Sequence, residues 1–169
     1  MAAGTPKAAL ITAYETLGTA SPTFANPLTF GGRLRSIVSV TDVAAADVDT
    51  DIYHVTPVYS SWRLDAIRAK CDAITAGTAY DLGLYTTAAV VNDVDYYATN
   101  VDFSSALTTL PVDLLDEARD IALGAQAVWA DAAATADSRR FYYLSYTADT
   151  VGSAAGQIVT RVHYVDGGS

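Results

Sequence analysis

"AYDLGLYTT", residues 79–87, decides the fold class. Tyr80, Leu82 and Leu84 alternate with Asp81, Gly83 and Tyr85. An alternation of period two is a strand with one apolar face. Gly83 interrupts the pattern at its centre, which marks a bulge or a close approach by another backbone. Apart from one Asp, the stretch holds no residue type that does chemistry. It reads as scaffold.

The neighbouring segments carry the same signal. In "RLDAIRAKC", residues 63–71, Ile67, Ala69 and Cys71 point one way and Arg68 and Lys70 the other. "TAGT" at 75–78 is turn material, so residues 64–86 are expected to form a hairpin. "RLRSIVSVTDV" (33–43), "RRFYYLSYT" (139–147) and "GQIVTRVHYV" (156–165) also alternate. "IYHVTPVY" (52–59) is β-rich, and Pro57 marks an edge or a bend. "VDLLDEARDIALGAQAVWADAA" (112–133) has Leu115, Ala118, Ile121 and Ala122 at helical spacing, then Ala125, Val128 and Trp129. One or two short helices are expected there, with Val112–Leu115 open to strand. Many short strands with few helices predict a mainly β chain, an antiparallel β-sandwich of jelly-roll-like kind.

Residues 1–32 differ from the rest. "GTASPTFANPLTFGG" (18–32) is broken by Pro and Gly and follows neither the period of a strand nor that of a helix. Yet Tyr14, Leu17, Phe24, Leu28 and Phe30 are too apolar for a solvated tail. The expected organisation is an extended N-terminal arm, 1–32, and a β-sandwich domain, 33–169. Those five arm residues are the candidate partner interface.

Charge narrows the function classes. Nineteen Asp and Glu stand against ten Lys and Arg, a formal net charge of −9. Such a surface repels phosphate, so no nucleic-acid partner is expected. No apolar run approaches a membrane span, and the first residues do not read as a signal peptide. The single cysteine, Cys71, has no partner for an intrachain disulfide, which suits folding in a reducing compartment. Charged residues make up 17% of the chain and apolar ones 51%, a balance that suits surface hidden in an assembly.

Candidate chemistry is sparse. The two histidines, His54 and His163, both sit in predicted strands. "GSAAG" (152–156) has the wrong spacing for a nucleophile elbow. Asp47, Asp49 and Asp51, and Asp93 and Asp95 within "NDVDYYATNVD" (92–102), offer oxygen ligands without a full calcium-loop pattern. Solvated loops are the favoured reading, and no metal, cofactor or catalytic residue is assigned. Eleven tyrosines include the doublets Tyr96-Tyr97 and Tyr142-Tyr143, and in a strand a doublet puts one ring on each face.

One resemblance stands out. "CDAITAGTAYDLGLYTT" (71–87), "DVDYYATNVDFSSA" (93–106), "EARDI" (117–121), "VWADAA" (128–133), "RRFYYLSYTADT" (139–150) and "GQIVTRVHYV" resemble small virion proteins of tailed bacteriophages. The likeness is to the capsid decoration, or cement, class, and runs from about residue 31 to 165. It implies a non-enzymatic β-sandwich or jelly-roll protein that sits on the outer surface of the virion. Such a protein bridges neighbouring subunits of the major capsid protein after assembly in the host cytoplasm. It also implies self-association at a local symmetry axis, with a homotrimer favoured and a dimer possible. The alternatives are a carbohydrate-binding module and a head-fibre base on the virion surface.

Overall fold

The structure, a computed structural model, describes residues 34–87, 90–124 and 126–166. Among these residues eight strands follow one another: β1 (Leu34–Val43), β2 (Ile52–Tyr59), β3 (Arg63–Cys71), β4 (Ala79–Thr87), β5 (Val90–Val101), β6 (Val112–Asp113), β7 (Phe141–Thr150) and β8 (Gly156–Val165). A 3-10 turn, Ile121–Leu123, and one short helix, α1 (Val128–Asp131), lie between β6 and β7. The first sheet has the order β1-β8-β3-β6, the second β2-β7-β4-β5. All pairings are antiparallel. The expected mainly β, antiparallel sandwich with short helices is what the chain forms. Its first 33 residues, and with them the expected arm, lie outside the described residues.

Six of the seven connections between consecutive strands pass from one sheet to the other, and only β4 and β5 are sequence neighbours paired side by side. This interleaving is the jelly-roll-like feature of the sandwich. It also corrects the expected hairpin at 64–86. Both of its strands form where the alternation places them, but β3 belongs to the first sheet and β4 to the second. The turn is present, with the Gly77 N–H donating to the Ile74 carbonyl at 2.7 Å and Ala76 at φ 62°. Ile74 explains the difference. Its side chain is fully buried, so the connection between β3 and β4 dips into the core and carries the chain across it. The apolar faces of the two strands then meet across the sandwich instead of lying side by side.

The core follows from the alternation. Tyr80, Leu82 and Leu84 of β4 and Leu144 and Tyr146 of β7 are fully buried. From the first sheet come Ile67 and Ala69 of β3 and Ile158 and Val162 of β8. Each large side chain so buried contributes about 1.5–3 kcal/mol of transfer free energy. The buried tyrosine hydroxyls are satisfied: Tyr80 donates to the Val151 carbonyl at 2.6 Å, and Tyr146 meets Thr160 Oγ1 at 3.0 Å. Burial and the nearby Asp47 and Asp49 carboxylates hold the Tyr80 phenol at a pKa of about 12.

Pro57 lies in β2, an edge strand, just past a bulge between His54 and Thr56. That is where a residue without an N–H is tolerated. The helical reading of 112–133 holds in small pieces. Val112–Asp113 is strand, and α1 ends after four residues at Ala133, whose φ is 54°.

Candidate interaction surfaces

The five arm residues Tyr14, Leu17, Phe24, Leu28 and Phe30 fall outside the described residues, so any site here is built from the sandwich. Its second sheet is the irregular one. Between Leu82↔Ala98 and Leu84↔Asp93, β4 advances two residues while β5 advances five. The surplus arches over Gly83. A Cβ on Gly83 would stand 2.0 Å from the Asp93 carbonyl oxygen and 2.5 Å from the Val94 carbonyl group. The glycine is there because another backbone crosses it, as its place in the strand pattern suggests.

The arch is pinned by a buried ion pair. Tyr96 and Tyr97 donate their hydroxyls to the two oxygens of Asp131 in α1, at 3.0 and 2.9 Å. Arg119 Nη1 reaches Asp131 at 3.4 Å, and its Nε and Nη2 donate to Asp116 at 3.1 and 2.8 Å. Its guanidinium also lies 5.8 Å from the centre of the Tyr97 ring. Burial pushes the Asp131 carboxyl up, against the pull of both tyrosines and Arg119. The Tyr96 phenol is raised to about 12 by burial and then by Asp131. Perturbed groups of this kind often mark active sites. Here the Arg119 and Asp131 side chains have no exposed surface, and the cluster holds β5 and α1 together.

Both histidines lie in strands, as expected. His54 Nδ1 lies 2.7 Å from Ser145 Oγ, a nucleophile-and-base distance. Ser145 is fully buried, however, and the His54 ring packs against Tyr143 and Tyr85, with centroids 4.8 and 6.0 Å away. The Ser145 hydroxyl also donates to the Tyr143 carbonyl at 3.5 Å. His163 lies on the other sheet, in β8.

The acidic residues also have local work. Asp47 Oδ2 accepts from the Ala44 N–H and the Tyr53 hydroxyl, Asp51 Oδ2 from the Val48 N–H, and Asp49 Oδ1 from the Val151 N–H. Asp102 accepts from the Ser104 N–H at 2.8 Å, and the Ser104 side chain and then this N–H lower its carboxyl pKa. They shape the loops as short acceptors do. Among the described residues, no three His, Cys, Asp or Glu side chains gather as metal ligands.

Two recesses lined by arginines lie among the described residues. One, of about 540 Å³, is lined by Arg35, Tyr59, Trp62, Asp137, Arg139 and Asp166 among others. Its lining sets two arginines beside two carboxylates: Arg35 meets Asp166 at 4.0 Å, while Asp137 accepts from Ser60 Oγ at 2.5 Å and from the Arg139 backbone N–H at 2.9 Å. Trp62 spends one ring face on Tyr164, 3.8 Å away and nearly parallel. The other recess, of about 410 Å³, lies on the outer face of the first sheet, lined by Val38, Arg68, Lys70, Pro111, Val159, Arg161 and His163. The register sets Val38, Arg161, Arg68 and Asp113 in one row, and Val40, Val159 and Lys70 in the next. Sequence reading put Arg68 and Lys70 on one side of β3. It had no means of bringing β8 beside that strand, because the pairing is non-local.

No protein-family model and no curated protein matches the sequence. Solved structures do. A chain in the capsid of Ralstonia phage GP4 aligns with a TM-score of 0.58 and 12% identity, over 82% of this chain and 87% of its own. A chain in the capsid asymmetric unit of cyanophage Pam1 aligns with a TM-score of 0.52 and 13% identity, over 87% of this chain and 91% of its own. The fold is therefore shared with phage-capsid chains of about this chain's own length.

Proposed function

We propose that this protein is a structural component of a tailed-phage virion, a decoration protein that binds the outside of the capsid and bridges neighbouring major capsid subunits. One observation carries the reading: nearly the whole sandwich superposes on chains of matching size within two phage capsids. Burial of Ser145 and of the Asp131–Arg119 pair fits a protein that acts by binding and has no enzymatic role. The resemblance of its sequence to the cement class points the same way.

Such a protein acts by burying surface. Stable interfaces bury about 1,200–2,000 Å² in total. Self-association through the sandwich, as a trimer or else a dimer, supplies part of this. The segment 1–32, with Tyr14, Leu17, Phe24, Leu28 and Phe30, supplies more when laid on a neighbour, at the entropic cost of ordering it. The test is sedimentation with capsids that lack the protein, followed by cryo-EM of the refilled particles. Binding at a fixed lattice position is the expected result. A chain that never sediments with capsids overturns the reading. Deleting residues 1–32 should leave a β-rich far-UV spectrum and weaken capsid binding.

Carbohydrate recognition is the second reading. In its favour is the larger recess, where Tyr59 and Trp62 lie 5.0 Å apart beside charged groups able to bind hydroxyls. Micromolar binding on a glycan array, without capsid binding, would favour it.

A further inference from the structure

We propose that the recess on the outer face of the first sheet receives a carboxylate side chain of the capsid subunit beneath it. The carboxylate sits among Arg161, Arg68 and Lys70, and its apolar flanks lie on Val38, Val159 and Pro111. The identity of the partner rests on the function proposed above. The chemistry of the recess rests on its own residues.

Charge is the first argument. The chain carries nearly twice as many acidic as basic residues, yet Arg68, Lys70 and Arg161 gather here with His163. Arg161 and Arg68 are direct cross-strand partners, and like charges so placed repel. Asp113 relieves only one of them, meeting Arg68 Nε at 3.4 Å at the exposed rim. Among the described residues, Arg161 has no carboxylate or hydrogen-bond partner. Lys70 Nζ donates to the Thr108 carbonyl at 2.9 Å and, at 3.5 Å, to that of Thr109, and keeps one proton to donate. An incoming carboxylate turns this repulsion into attraction. The recess is too weakly basic, on a chain of net charge −9, to favour a polyphosphate.

The apolar surround is the second argument. Val38 and Val40 are each 53% exposed and Val159 37%, in adjoining rows of one face. Leu34 extends the band along β1. A concave apolar patch with a few convergent cations fits one acidic side chain set in an apolar surface, the pattern of an interface anchor. The larger recess carries its own carboxylates, Asp137 and Asp166, beside Arg35 and Arg139, so it lacks this excess of cations.

The full chain is tested for sedimentation with capsids lacking it, as wild type, Arg161→Lys, the double variant Lys70→Glu with Arg161→Glu, and Phe141→Asp on the opposite sheet. The substituted residues are on the outer faces, and far-UV spectra and melting temperatures check that each variant folds. The double variant should bind at least about tenfold more weakly, while Arg161→Lys and Phe141→Asp stay close to wild type. High salt should weaken the wild type more than the double variant. Equal binding by wild type and the double variant overturns this inference and leaves the proposed function standing. Failure of the wild type itself overturns the proposed function instead. If the double variant keeps capsid binding but loses self-association by light scattering, the recess belongs to a second copy of the chain, and the inference is again overturned.

Discussion

The two sheets carry the same strand pattern and treat their outer faces in opposite ways. In the first, β1 pairs with β8 without a break over ten residues, and Val38, Val40 and Val159 on its outer face are exposed. In the second, β4 and β5 slip register four times, and the slipped chain folds back over β4. As a result Asp81, Gly83 and Tyr85, which the alternation assigns to the outside, are buried as deeply as a core. One sheet spends its irregularity on self-covering and fills the cover with a buried ion pair. The other has one register shift, between Leu64 and Ala66, and leaves cations and valines of its outer face exposed. A regular face is available to a partner, and an irregular one is already occupied by its own chain.

The sharpest way to break this contrast is to remove the pin of the covered side. Arg119→Met leaves Asp131 buried beside two phenols with no cation. Removing one partner of a buried pair costs about 3–5 kcal/mol, and a fall in urea midpoint should show it. The pH dependence has a definite sign. The folded Asp131 pKa is raised, so the native state holds the carboxyl proton more tightly than the unfolded chain. The stability that protonation gives is fully present below the unfolded value and is lost as pH rises through the folded one. The Arg119→Met defect should therefore be largest near neutrality and shrink in acid. A defect independent of pH would place the loss in packing instead of in the uncompensated carboxylate.

Next in size is the arch itself. At Gly83 the atoms in the way are backbone, which no rotamer change can move. Gly83→Val should cost about 3 kcal/mol through overpacking, read as a lower melting temperature. An unchanged or raised melting temperature would show that β5 does not lie over β4. Smaller again is Tyr80→Phe, in the interior that both sheets share. It leaves the buried Val151 carbonyl without its 2.6 Å donor and should cost about 1–2 kcal/mol.

Much of this was legible in the sequence. The alternation at 79–87 gave the strand, the buried face and the meaning of Gly83, because those depend on local period and on glycine's missing Cβ. Pro57 gave an edge or a bend for a similar reason, and the structure has both an edge strand and a bulge there. What stayed hidden is pairing. "TAGT" makes a turn whether the chain returns beside itself or crosses to a second sheet, and only the burial of Ile74 chooses between them. The Asp131 cluster joins residues 96–97, 116–119 and 131 by non-local contacts, so no spacing announces it. The recess on the first sheet was half visible, as Arg68 and Lys70 on one face of β3. Its other half, Arg161 with Val159, arrives only when β8 inserts between β1 and β3.

The smallest expected effect sharpens the comparison from the open side. Val38→Thr and Val40→Thr both replace one β-branched side chain by another, so strand preference is kept. Each position is about half exposed in the chain by itself. Little apolar contact is lost within the monomer, and surface changes of this kind stay within about 0.5 kcal/mol. The double variant should melt within a degree or two of wild type, about the shift that such energies give for a domain of this size. Its binding to capsids should weaken all the same, because a hydroxyl set in an apolar contact must be desolvated without a partner. Stability and binding then separate on this face, whereas at Gly83 and Arg119 stability falls first. A large loss of melting temperature in the valine double variant would mean that the chain already covers its first sheet, and the contrast between the two faces would collapse.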